Sequence, residues 1–264
     1  MSARPADKLV RTVSGLAHSV MAGWISLGIS GANGRMGRVF QALLRDDARF
    51  ELAAKVARSD DWRTAPKLDV VIDFSTPQGF DAALAHCVAH RVALVSGTTG
   101  LDSARRPALT EAAGTIPVLH AANFSLGVAV LTRALREAAA VLPDWDLEIL
   151  EMHHARKLDA PSGTALALGR AAAAARGQNF DEVAVLSREG QVGARPAGAI
   201  GFASVRAGDV VGEHTAMFAT VGERLELSHR ATDRAIFARG ALVAAAWIVG
   251  KPAGVYSLDD VLNV

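Results

Sequence analysis

WISLGISGANGRMG, Trp24–Gly37, decides the fold. Its first half is an apolar run of strand length, and the glycine-rich turn after it opens a helical segment, Gly34 to Asp46. A strand that feeds through such a turn into a helix is the opening step of a βαβ unit. The pattern then repeats. FELAAKV (Phe50–Val56), DVVIDF (Asp69–Phe74), VALVSG (Val92–Gly97) and PVLHAA (Pro117–Ala122) are further short apolar runs, the last the weakest. Helical segments Thr76–His90 and Leu101–Ala113 lie between them. Near-continuous apolar strands alternating with helices predict a parallel sheet covered on both faces. Only about a dozen residues separate the second run from the third, which predicts a short connection and not a full helix.

A different organisation begins near Ser125. GVAVLTRALREAAAVL places Val128, Leu131, Leu135, Ala138 and Leu142 at helical spacing. Strand-like runs follow the later PSGT helix: EVAVLSRE, AIGFASVRAG, DVVGEHTAMFATV and ERLELSHRA. The joints Ala207-Gly208 and Val221-Gly222 are short enough for hairpins. The last helix, AIFARGALVAAAWIVG, is apolar on nearly every side and calls for heavy burial. The expected fold class is α/β: a doubly wound, Rossmann-like parallel-sheet domain over residues 21–124, completed by a C-terminal helix in 234–264. A smaller α+β domain with a mixed or antiparallel sheet takes 125–233.

Half of the 264 residues are apolar, as suits a globular chain with a large core. A net charge of +1 without long runs of like charge argues against nucleic acid or a polybasic membrane surface as partners. The one cysteine, Cys87, excludes an intramolecular disulfide and a multi-cysteine metal site, and suits a reducing compartment. No uninterrupted apolar stretch approaches the roughly 20 residues of a membrane span. The expectation is a cytoplasmic protein without metal. Arg4, Lys8 and Arg11 precede a weakly apolar stretch, but Arg11 and His18 interrupt it, so an export signal is the lesser reading. Residues 1–20 are expected to form a disordered extension, with Met21 as a natural start.

The glycine turn departs from the Gly-x-Gly-x-x-Gly dinucleotide fingerprint: the spacing is Gly31-x-x-Gly34-x-x-Gly37, with Asn33 at the second glycine position. Gly31 permits the tight turn, Asn33 tolerates a left-handed backbone, and Gly34 lets a pyrophosphate approach the helix N-terminus. A plain glycine-rich turn is the alternative, but its place between strand and helix favours a nucleotide. The second strand ends in Ala57-Arg58, where an NAD site carries a carboxylate. Arg58, helped by Arg35, suits the 2′-phosphate of NADPH, with NADH as the second cofactor. SGTTG (Ser96–Gly100) and AANF (Ala121–Phe124) end two further strands, where open α/β sheets bind ligands, though both also read as ordinary strand exits.

EMHHARKLDAPSGTAL, Glu151–Leu166, combines several features. Pro161 suits a helix start and Asp159 or Ser162 its cap. Gly163 and Thr164 in the first turn offer free N–H groups and a hydroxyl to a carboxylate or phosphate, and Lys157 adds a charge. His153 and His154 titrate in the range of proton transfer. In an extended chain they point to opposite faces, so one lies over the reacting centre while the other binds or supports.

These motifs, with SREG, IGFASVRAGDVVGEHTAMF and GERLELSHRA, resemble the dihydrodipicolinate reductase family from about Leu27 to the C-terminus. The resemblance implies reduction of 4-hydroxy-tetrahydrodipicolinate, a dicarboxylate, by a pyridine nucleotide on the route to diaminopimelate and lysine. It places His153 at the family's proton donor and Lys157 at its second catalytic position. It also implies substrate contacts at His154, Gly163 and Thr164. The implied cofactor contacts are Gly31, Ala32, Asn33, Gly34, Arg35, Met36, Arg58, Gly97, Thr98, Thr99, Ala121, Ala122, Asn123 and Phe124. Ala57 stands where the family often has an acid, in keeping with NADPH. The family's longer segment between the second and third strands is absent, and residues 1–20 have no counterpart. A homotetramer joined through the second domain is implied as well. A nucleotide-binding regulator would leave the His-His-Lys cluster unexplained. A semialdehyde dehydrogenase needs a nucleophilic cysteine, whereas Cys87 sits in a helical, core-like stretch.

Overall fold

A computed structural model describes residues 23–103 and 105–263. The expected disordered extension at 1–20 and the start at Met21 lie outside the described residues. The first half runs β1 (Ile25–Ser30), α1 (Arg35–Leu43), β2 (Phe50–Val56), a 3-10 turn at Trp62–Thr64, β3 (Val70–Asp73), α2 (Pro77–His90), β4 (Ala93–Ser96), α3 (Arg105–Ala112) and β5 (Pro117–His120). The second runs α4 (Leu126–Val141), β6 (Asp146–His153), α5 (Gly163–Ala175), α6 (Phe180–Val183), β7 (Ala184–Val185), β8 (Ile200–Arg206), β9 (Gly212–Thr220) and β10 (Glu223–Ala231). The chain closes with α7 (Ala235–Ile248), β11 (Gly254–Tyr256) and α8 (Leu258–Val261).

The first sheet has the order β11-β5-β4-β3-β1-β2, and all its pairs are parallel. Its central strands are largely apolar because both faces are covered, and the buried polar residues Ser30, Asp73 and Ser96 stand at their C-terminal ends. Val70 and Ile72 face a core shared with α1 and α7, while Val71 and Leu94 face α2. Alternation along a strand sends neighbours to opposite sides. The link from β2 to β3 is the 3-10 turn, short as its length required. Alanines 238, 241, 244 and 245 and Gly240 let α7 settle closely on this sheet, and a Cβ at Gly240 would collide with the Phe124 carbonyl. Cys87 is fully buried, and burial pushes its thiol far up, which leaves it inert at neutral pH. β11 joins the sheet edge beyond β5, a strand too short to stand out in the sequence.

The second sheet, β10-β9-β6-β8-β7, is mixed: β6 pairs parallel with β8 and antiparallel with β9. Val221-Gly222 does join a β9–β10 hairpin, but Ala207-Gly208 does not join adjacent strands. β8 and β9 flank β6, and their connection drapes over its end, with Ala207 N–H donating to His153 O and Ala155 N–H to Gly208 O. The expected strand EVAVLSRE is also largely absent. Asn179 accepts from Asp181 N–H and caps one helical turn with acids at its start, leaving only Ala184–Val185 to pair. β6, the central strand, alternates strictly: Leu147, Ile149, Glu151 and His153 are buried under α4 and α5, while Leu150 is exposed on the far face.

Candidate active site

The strand order reverses at β1, with β2 on one side and β3 on the other, which makes the crevice between β1 and β3 the expected ligand position. A cavity of about 350 Å³ opens there, lined by Gly31, Asn33, Gly34, Arg58, Trp62 and the segment Phe74–Thr76, among others. Gly31 has φ +81°, and a Cβ on it would sit 2.7 Å from Phe74 O, so the turn requires glycine. Gly37 lets α1 descend onto the carbonyls of Gly31 and Ala32. Asn33 is not left-handed, because Gly31 alone reverses the chain in this turn. Gly34 is the helix N-cap, extended and without a side chain to claim the first-turn N–H groups. These are the features of an anion cradle.

Arg35 and Arg58 are exposed, and among the described residues neither enters an ion pair. Asp60 is exposed, and its carboxylate accepts from Ala57 N–H at 2.8 Å. Met36 is half-buried against the core, whereas Ala32 is buried within it, so only the Ala32 backbone is available to a ligand. The same holds for Thr98, whose hydroxyl donates to the buried Asp73 at 2.7 Å and accepts from Ser75 N–H. Ser96 donates to the same carboxylate, which ties together the ends of β3 and β4. Gly97 leaves room for the Phe74 ring. Phe124 is buried beside that ring at 5.4 Å, whereas Thr99 and Ala122 are exposed and Ala121 is half-buried. Phe74–Thr76 was not singled out from the sequence, although Thr76-Pro77 is a helix start directly after a parallel strand.

Asn123 links the two halves. Its amide donates to Thr164 Oγ1 at 3.1 Å, and its oxygen accepts from Ser125 N–H at 2.8 Å. Thr164 lies in the first turn of α5, capped by Ser162, not Asp159. Pro161 therefore sits before the cap and not in the first turn. A Cβ on Gly163 would meet nothing within 4 Å, so this helix terminus is open on that side.

Around it stands a polar group inside the helix-covered face. Glu151, 2 % exposed, accepts from Arg206 through both oxygens at 2.7 and 2.8 Å, and from Ser162 N–H at 3.2 Å. Its Oε2 lies 2.5 Å from His153 Nδ1. Burial would raise the Glu151 carboxyl, but hydrogen bonds from Arg206, Ser204 and His153 outweigh it and hold the group at about 2. His214 packs edge-on against His153 at 5.2 Å and bonds Ser162 Oγ at 3.1 Å. Burial, then the neighbouring His153, lowers His214 to about 4. His154 is lowered by desolvation and by Arg234 and Arg156, and its buried Nδ1 has no hydrogen-bond partner among the described residues. Lys157 Nζ bonds both oxygens of Asp159 at 2.7 and 2.9 Å. Glu151, Arg206 and His214 had no role in the sequence reading. The two-residue spacing of Glu151 and His153 was the available signal, since it puts both on one face of a strand.

Two family models match the chain: "Dihydrodipicolinate reductase, N-terminus" over residues 25–124 and "Dihydrodipicolinate reductase, C-terminus" over 127–262. The chain belongs to the dihydrodipicolinate reductase family. A 4-hydroxy-tetrahydrodipicolinate reductase of Xanthomonas campestris pv. campestris (strain B100) is 50% identical over 252 residues, 89% of this chain and 96% of the relative. Among solved structures, a dipicolinate-bound dihydrodipicolinate reductase from Paenisporosarcina sp. TG-14 superposes with a TM-score of 0.73 at 26% identity, covering 89% of this chain and 98% of its own. A probable dehydrogenase from Thermotoga maritima, at 13% identity and TM-score 0.53 over 88% of this chain and 91% of its own, shares the fold alone. Reductase-family membership thus spans both sheets. Among the described residues no helix is long and apolar enough to cross a membrane, and no cluster of three or more His, Cys, Asp or Glu is placed to hold a metal ion.

Proposed function

We propose that this chain is a 4-hydroxy-tetrahydrodipicolinate reductase, an NAD(P)H-dependent oxidoreductase of diaminopimelate and lysine biosynthesis. The observation that carries the reading is the conjunction at the end of β6: His153, Lys157 and the open N-terminus of α5 meet on a chain half identical to a reductase. Residues 21–124 with the helix in 234–264 bind the dinucleotide, and 125–233 bind substrate and join subunits in the cytoplasm.

The glycine cradle fits a pyridine nucleotide: Gly31 and Gly37 tolerate no side chain, and the first turn of α1 has no side-chain cap. When bound, the nucleotide supplies a hydride. The turn Gly31–Gly34 and the start of α1 hold its pyrophosphate, while Gly97–Thr99 and Ala121–Phe124 border it at the strand ends. Arg58 and Arg35 meet a 2′-phosphate, which favours NADPH over NADH.

The substrate is a small dicarboxylate. Free N–H groups at Gly163 and Thr164, the Thr164 hydroxyl and the Lys157 ammonium bind one carboxylate, with His154 as a further contact. Asp159 holds Lys157 in an exposed ion pair, weak enough for a substrate carboxylate to displace. Negative charge grows on the substrate ring as it is reduced. His153, when protonated on both ring nitrogens, gives up the proton on Nε2, which has no protein partner among the described residues, and is left as the neutral Nδ1–H ring. Such acid catalysis is typically worth about 100- to 10,000-fold.

The deciding experiment follows NADPH oxidation by the purified chain, with substrate formed in situ from aspartate semialdehyde and pyruvate by the preceding synthase. Substrate-dependent oxidation, faster with NADPH than NADH, is expected. Tight NADPH binding without turnover would instead describe a nucleotide-binding regulator.

A further inference from the structure

We infer that Glu151, clamped by Arg206, is a positioning residue that fixes His153 in the Nδ1–H form and so reserves Nε2 for the reacting proton. The inference deepens the reading of His153 as proton donor and rests on it.

An ionised carboxylate only accepts hydrogen bonds, so the proton between Glu151 Oε2 and His153 Nδ1 belongs to the ring nitrogen. Glu151 itself is immobile. Two nitrogens of the Arg206 guanidinium, Ser162 N–H and His153 Nδ1 converge on its two oxygens, with the Ser204 side chain beside them. Arg206 is fixed in turn, since it also donates to Asp159 O at 2.6 Å and Val205 O at 2.7 Å. The ring therefore has one anchored edge. The other edge faces Gly212, where a Cβ would stand 2.9 Å from Nε2.

Arg206 has a second effect. A bare carboxylate beside an imidazole favours the charged ring and makes it a reluctant acid. The guanidinium, bonded to both Glu151 oxygens, opposes that field while Glu151 orients the ring. The other ionisable groups around the ring are His214 from β9, 5.2 Å away and held neutral by burial, and His154 and Lys157 from the loop after β6. None of these reaches Nδ1. Among the described residues, the positioning duty falls on Glu151.

The test is imidazole ¹⁵N–¹H NMR on the full-length, ligand-free chain, with His153 assigned by its loss in His153→Gln. Neutral His153 in the wild-type protein is expected in a single Nδ1–H form. Glu151→Gln places an amide between Arg206 and the ring, and is expected to mix or reverse the tautomer. It should also lower kcat by about tenfold or more, with KM for the nucleotide unchanged. Arg206→Met leaves the carboxylate uncompensated. It should preserve the Nδ1–H form in the NMR spectrum, because the carboxylate still only accepts. A wild-type ring found as Nε2–H or as an even mixture overturns the inference, as does a Glu151→Gln protein with tautomer and kcat unchanged. Should Glu151→Gln not fold, the wild-type tautomer and Arg206→Met decide. The NMR result stands whatever the substrate proves to be. Reductase activity with a disordered tautomer defeats only this inference, and a fixed tautomer without turnover defeats only the proposed function.

Discussion

His214 and His229 stand directly opposite each other on β9 and β10, and each reaches the capping serine of a different helix. His214 Nε2 lies 3.1 Å from Ser162 Oγ at the start of α5, and His229 Nε2 lies 3.2 Å from Ser125 Oγ at the start of α4. One ladder position thus ties down the beginnings of both helices that cover the sheet. A helix N-terminus is an electropositive place. Both histidines are accordingly built to stay neutral, and burial lowers both.

Stability should therefore fall in mild acid. His214 binds its proton near pH 6.5 when unfolded and near 4 when folded, so the unfolded chain holds more protons between these values. Its contribution is complete above pH 6.5 and is lost as pH drops toward 4, roughly 3 kcal/mol in all. Urea unfolding at pH 7.5 and pH 5 should show the loss. His214→Gln should show a flatter slope, though not a flat one, because His86, His154 and His229 are lowered too.

Ser162→Ala removes the α5 cap and the partner of His214 together. A destabilisation of about 1–2 kcal/mol is expected from the cap alone. Since the same helix end carries Gly163 and Thr164, KM for the substrate should rise while nucleotide affinity stays unchanged. Calorimetry and steady-state kinetics check both parts.

Gly212→Ala isolates the space beside His153. Its backbone is ordinary, so the added methyl is tolerated by the chain and harmful only through contact with the ring, 2.9 Å from Nε2 and 3.2 Å from Cδ2. We expect kcat to fall by about tenfold or more. Nucleotide binding, measured by fluorescence titration, should be unaffected.

Arg58→Ala should raise KM for NADPH about tenfold, the scale of one lost charge-assisted hydrogen bond, and leave KM for NADH nearly alone. Equal effects on the two cofactors would remove Arg58 from the 2′-phosphate site.

The far face of the second sheet exposes Leu150 and Val205 beside the half-buried Met152 and Met217. A homotetramer built through this face should sediment as one species, and Val205→Glu should dissociate it. A wild-type monomer in analytical ultracentrifugation would end the proposal.

The alternation of apolar strands with helices from Trp24 to Phe124 carried the first sheet in the sequence itself, because strands buried on both faces must be largely apolar. The pairing of β6 was not legible. Its polar Glu151 and His153 occupy inward positions that a simple alternation assigns to apolar side chains. The Ala207-Gly208 joint looked like a hairpin because length alone does not reveal which strand will lie between its neighbours.

By itself the sequence determined the doubly wound unit, the glycine turn, and the cluster of His153, Lys157, Gly163 and Thr164, since all are local in the chain. Only the tertiary structure decided that Glu151 binds Arg206 across a separation of 55 residues, that Gly212 faces His153, and that Thr98 and Phe124 turn inward. Those outcomes depend on which strands become neighbours. That choice is made by the burial of whole faces, and no short stretch of sequence contains it.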